Sequence, residues 1–92
     1  MNLAQRARKA AGMNQEEFAE YLGVKQPQVS LWESGKPMSR PTRRLMGVTL
    51  KWFEYRNAAL KFRDDPSDIN EGAALVAHKA FMEAFGGLDR GE

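Results

Sequence analysis

Ninety-two residues without a single cysteine make one domain with room for a terminal extension, and exclude disulfides, thiolate metal sites and cysteine nucleophiles. No uncharged stretch exceeds seven residues, so no membrane span or signal-peptide core is expected and a cytoplasmic protein follows. The formal net charge is only +2, but residues 1–44 hold eight Lys and Arg against four Glu, whereas residues 45–92 hold six against eight Asp and Glu.

In chain order, Asn2 to Ala11 reads as a first helix with Leu3, Ala7 and Ala10 on one side, ended by Gly12. A second helix is predicted at about 15–22. Asn14 caps it and Glu17, three residues on, completes a capping box. Phe18, Ala19 and Leu22 recur at helical spacing and form its apolar face. Gly23 stands where the chain must turn sharply, a place that favours a residue without a Cβ. A third helix follows at about 26–33, with Pro27 in its first turn, where a missing N–H costs little. Val29 and Trp32 face inward, which makes Trp32 a core residue rather than a stacking platform, and Gly35 ends the helix.

Lys36 to Ser39 reads as a turn, and Arg40-Pro41-Thr42 opens a helix capped by Ser39. From Thr42 to Arg63 there is no proline and one glycine, Gly47, which predicts one long helix or two helices bent at Gly47. Leu45, Val48, Leu50, Trp52, Phe53, Tyr55, Leu60 and Phe62 spread around more than one face. Such a helix needs a second partner, either the tail of its own chain or another subunit. Asp64-Asp65-Pro66-Ser67-Asp68 breaks the pattern. Asp65 or Ser67 caps a last helix, and Asp68 suits its positive end. Ile69, Ala73, Val76, Ala77, Ala80, Phe81, Ala84 and Phe85 form its apolar face. Gly86-Gly87 is expected to end it, with Leu88 to Glu92 frayed.

Two short helices joined by a tight turn over Asn14 to Gly35 are the pattern of a helix-turn-helix, whose second helix enters the DNA major groove. A helical wheel through Val29 and Trp32 turns Pro27, Ser30, Leu31 and Ser34 away from the core, flanked by Gln26 and Gln28. Glutamine can make two hydrogen bonds to adenine, and leucine or serine can meet a thymine methyl or a polar base edge. Ser34, Lys36, Arg40, Arg43 and Arg44 surround the start of the next helix, and Lys25 precedes the third. Arginine forks and free helix N–H groups suit phosphate there, and such a basic footprint binds less tightly as salt rises.

The segments QRARKAAGMNQEEFAEYLGV and QVSLWESGK resemble the lambda repressor and Cro type of helix-turn-helix domain, the XRE family, from about Leu3 to Leu50. The resemblance implies an all-α fold: a lambda repressor-like helix-turn-helix domain, with an additional C-terminal amphipathic helix. It places base contacts at Gln26, Pro27 and Leu31, of which Pro27 cannot donate and Leu31 offers apolar contact only. It gives Gln15 the role of meeting the phosphate backbone and bracing the recognition helix. It also implies a structural ion pair between Arg8 and Glu33. The family usually has a loop between its fourth and fifth helices, and this sequence lacks a clear one.

The expected organisation is a helix-turn-helix DNA-binding domain over 1–63 and a C-terminal helix over 64–92 for packing or dimerisation. The expected function is a sequence-specific regulator of transcription binding double-stranded DNA, a bacterial or phage repressor acting as a homodimer on a palindromic operator. The alternative is the antitoxin of a toxin–antitoxin pair, with a protein partner bound through the apolar excess of residues 48–85. No enzyme is expected, and no cofactor or metal. His78 is the one histidine and lacks metal-ligand spacing, while Asp64, Asp65 and Asp68 read as helix-boundary chemistry.

Overall fold

The structure is a computed structural model and describes residues 1–89. Five helices follow one another: α1 (Leu3–Ala11), α2 (Gln15–Leu22), α3 (Gln26–Glu33), α4 (Arg40–Asp64) and α5 (Asp68–Asp89). The chain divides into two compact units, Met1–Leu50 and the part from Lys51 onward. The division falls inside α4, whereas the boundary expected from sequence, after residue 63, lies beside the end of that helix.

Local chemistry sets the helix ends of the first unit. Asn2 and Asn14 each sit in extended backbone and accept from the third residue of the helix they start, Gln5 and Glu17, whose side chains reach back in two full capping boxes. Gly23 closes α2 at φ +75°, and its N–H donates to the Glu20 carbonyl at 3.2 Å while that of Val24 donates to Ala19 at 3.0 Å. These bonds satisfy carbonyls that the helix itself leaves open. Ser39 caps α4, its Oγ accepting from the Thr42 N–H at 3.4 Å.

The core of this unit is Ala4, Ala7, Ala11, Phe18, Ala19, Val29, Met46 and Leu50. The inward face of α1 is therefore Ala4–Ala7–Ala11, and Leu3 and Ala10 are only half-buried. Alanines at three- and four-residue steps let α1 approach its neighbours closely, a signal that the bulkier Leu3 obscures in the sequence.

α4 is one continuous helix through Gly47. Along it Leu50 and Phe53 are buried, while Leu45, Trp52 and Leu60 stay exposed.

In the second unit Ser67 supplies the α5 cap, accepting from the Asn70 N–H at 3.2 Å. Asn70 is buried and donates through Nδ2 to the Asp65 carbonyl at 2.8 Å, which removes the cost of hiding an amide. Trp52 and Tyr55 of α4 meet Phe81 of α5 at ring separations of 5.4 and 6.3 Å, and Tyr55 meets His78 edge-on at 5.1 Å. The apolar face read for α5 is only partly turned inward. Phe81, Ala77, Ala80 and Ala84 are half-buried, but Ile69, Ala73, Val76 and Phe85 are exposed.

Gly86-Gly87 does not end α5, which runs to Asp89. Glycine lowers helix propensity by about 1 kcal/mol without removing the N–H as proline does. Of the expected fraying, residues 90–92 lie outside the described residues.

Candidate nucleic-acid interface

α3 is short, and its position comes from neighbours on both sides. Val29 is buried and Trp32 half-buried, which anchors one face. Gln26, Pro27, Gln28, Ser30, Leu31 and Ser34 are all exposed, so the proposed base-reading edge is open along its whole length. Leu31 is 46% exposed, an apolar group that a thymine methyl would cover. Gln28 also borders the groove that separates α3 from Thr42 and Leu45 of α4.

Three polar ties hold α3 in place. Gln26 Nε2 donates to Gln15 Oε1 at 2.7 Å, joining the first residues of α3 and α2. Arg8 and Glu33 form a two-pronged ion pair, with Nε donating to Oε2 at 2.7 Å and the second guanidinium arm to Oε1 at 3.0 Å. The Glu33 side chain is 6% exposed and that of Arg8 20%. Hydrogen bonding to Glu33 raises the Arg8 guanidinium above its already high ordinary value; burial opposes this and the attraction of the carboxylate charge adds to it. Asn2 supplies the third tie. Beyond capping α1, its Nδ2 donates to the Trp32 carbonyl at 3.1 Å and the Glu33 carbonyl at 3.0 Å, at the C-terminal end of α3. Sequence reasoning missed this second role. It missed the capping box of Asn2 with Gln5 as well, and nothing in a linear pattern joins residues thirty positions apart.

The N-terminal end of α3 differs from those of α1 and α2. Its N-cap is Lys25, extended in backbone and making no side-chain cap bond. A cation there opposes the helix dipole, while Pro27 has no N–H to satisfy and the Gln28 N–H donates to the Lys25 carbonyl at 2.9 Å.

The remaining basic residues lie around the α3–α4 connection. Lys36, Arg40 and Arg43 are exposed and Arg44 is half-buried, as is Gln15. Lys36 and Arg43 border one cleft together with Asn2, Trp32 and Gly35, so two of the expected phosphate residues are brought together. Among the described residues no cluster of three acidic, histidine or cysteine side chains has metal-binding geometry.

Residues 5–47 match the family model described as helix-turn-helix. This segment is a helix-turn-helix domain of the XRE, lambda repressor-like family. The matched stretch takes in most of α1, all of α2 and α3, and the first turns of α4. No curated protein and no solved structure matches the chain. The family is one of DNA-binding transcription regulators. No helix of the described residues is long and apolar enough to cross a membrane.

Proposed function

We propose that the protein is a sequence-specific transcriptional repressor that binds a palindromic operator in double-stranded DNA as a homodimer. In this reading α3 lies in the major groove, with Gln26, Gln28, Ser30 and Leu31 against base edges and Pro27 in apolar contact. Lys25, Ser34, Lys36, Arg40, Arg43 and Arg44 hold phosphates, and Gln15 braces Gln26 while facing the backbone. Residues 1–63 serve DNA binding and residues 64–92 packing or dimerisation. Repression comes from occupying promoter DNA in the cytoplasm, with no chemistry.

One observation carries the proposal. The outward edge of α3 is wholly exposed while its inner residue, Val29, is fully buried, so a rigid helix presents hydrogen-bonding groups to a groove. The test is selection from random duplexes with the purified protein. A site of two inverted half-sites, centred about 34 Å apart, is the expected outcome. Recovery of no sequence above the starting pool, at low and at moderate salt, would overturn it.

A further inference from the structure

Among the described residues of the second unit, only Phe53 and Asn70 are buried. A two-helix segment of this size cannot bury both sides of its helices alone. What it leaves open is patterned. Ile69, Ala73 and Val76 are exposed at steps of four and three residues, and the half-buried Ala80 continues them four residues on, the spacing of a packed helix seam. Ile69 is 84% and Val76 71% exposed. Beside them runs a shallow groove of about 430 Å³, floored by Gly72, Ala73, Ala77 and Ala80 and edged by Lys51 and Glu54 of α4.

We propose that this stripe is the seam for a second copy of the chain, with the two α5 helices packed antiparallel about a two-fold axis between Ala73 and Val76. The order along the stripe is large, small, large, small. Antiparallel pairing therefore sets Ile69 against the copy's Ala80 and Val76 against its Ala73, so that every large side chain enters a place left by a small one. Parallel pairing would set Ile69 on Ile69 and leave a gap between alanines, which close packing disfavours. Charge agrees with this choice. Asp68 and Lys79 lie on the same outer border of the stripe, and reversal brings Lys79 of one copy toward Asp68 of the other. On the inner border Lys51 and Glu54 neutralise each other at 3.3 Å, so two such edges meet without like-charge repulsion. A two-fold seam is isologous and closes after two copies.

The seam rests on the dimeric reading above and locates it, and it is tested without DNA. Sedimentation of the full chain is expected to give a dimer at micromolar concentration. Val76→Glu, at an exposed position where a charge leaves the monomer undisturbed, is expected to raise the dimer dissociation constant on the order of 100-fold, because each substitution counts twice across the axis. The natural chain contains no cysteine, so single-cysteine variants report directly on register. With a short thiol cross-linker Ala73→Cys is expected to link to itself. Ile69→Cys is not, because its two copies stand roughly 16 Å apart along the helices, but it is expected to link to Ala80→Cys when the two variants are mixed. A monomeric parent chain, a dimer unaffected by Val76→Glu, or self-linking of Ile69→Cys would overturn the seam. Operator binding is then measured separately: a monomer that still selects a DNA sequence removes the seam and the dimer but leaves sequence-specific binding, and a dimer that selects none removes the repressor reading alone.

Discussion

Arg8 and Glu33 stand twenty-five residues apart and meet through two hydrogen bonds of 2.7 and 3.0 Å, tying the first helix to the last residue of α3. The two members are not equivalent. Arg8 keeps a bond to the Met13 carbonyl at 3.2 Å and some access to water, whereas Glu33 is nearly enclosed. Arg8→Ala is therefore expected to cost about 3 kcal/mol, by stranding a carboxylate, and Glu33→Ala about 2 kcal/mol. Replacing both by methionine should cost less than the sum of the two. Urea denaturation of the four proteins checks this, and additive losses would contradict it. Because the folded guanidinium is raised, its contribution is fully present below the unfolded value and fades only as strong alkali carries the pH through the folded one.

Lys25 occupies the cap of α3 without capping it. Lys25→Asp is expected to stabilise the fold by about 0.5–1 kcal/mol, by exchanging a cation for an anion at the positive end of the helix dipole. The same change puts an anion where phosphate is expected, so operator affinity should fall. Lys25→Ser separates the two effects by removing the cation without adding an anion. Melting temperature and gel shift, measured on all three proteins, should move in opposite directions for the aspartate.

Gln26 and Arg43 should fail in different ways. Gln26→Ala is expected to relax discrimination at one base pair per half-site, worth about 1–3 kcal/mol, and Gln15→Ala to do so more weakly by releasing its partner. Arg43→Ala should weaken binding to every duplex alike and reduce the salt slope by about 1 per half-site. Titrations of the selected operator and of a scrambled duplex at several salt concentrations distinguish the two patterns.

Gly23 and Gly47 offer a paired test of backbone effects. A Cβ would meet no atom within 4 Å at either position. Only Gly23 has a positive φ, +75°, so Gly23→Ala is expected to cost about 1–2 kcal/mol. Gly47 lies in regular helix, and Gly47→Ala should gain about 0.5–1 kcal/mol. Equal effects from both would refute the account.

These contrasts mark what could be read from the sequence alone. The limits of α2 and α3 came directly from Asn14, Glu17, Gly23 and Pro27, because caps and breakers act over a few residues. The outward edge of α3 followed from Val29 once the helix was placed. The inner face of α1 did not, since Ala4, Ala7 and Ala11 owe their burial to close approach rather than to hydrophobic bulk. Met46 passed unnoticed beside larger apolar neighbours on α4. The Gly86-Gly87 pair was given the weight of a stop, when glycine only weakens a helix that other contacts sustain. The exposed stripe of α5 was visible as periodicity, but periodicity does not tell which side of a helix its own chain leaves open.

The Asn2 side chain accepts a hydrogen bond at the start of one helix and donates two at the finish of another. Loss of the Asn2 side chain would thus loosen the far end of α3 while sparing every group proposed to meet DNA. Affinity lost in an Asn2→Ala variant would then reflect a misaligned α3 rather than a missing contact, and an intact Asn2 becomes a condition for judging any operator measurement.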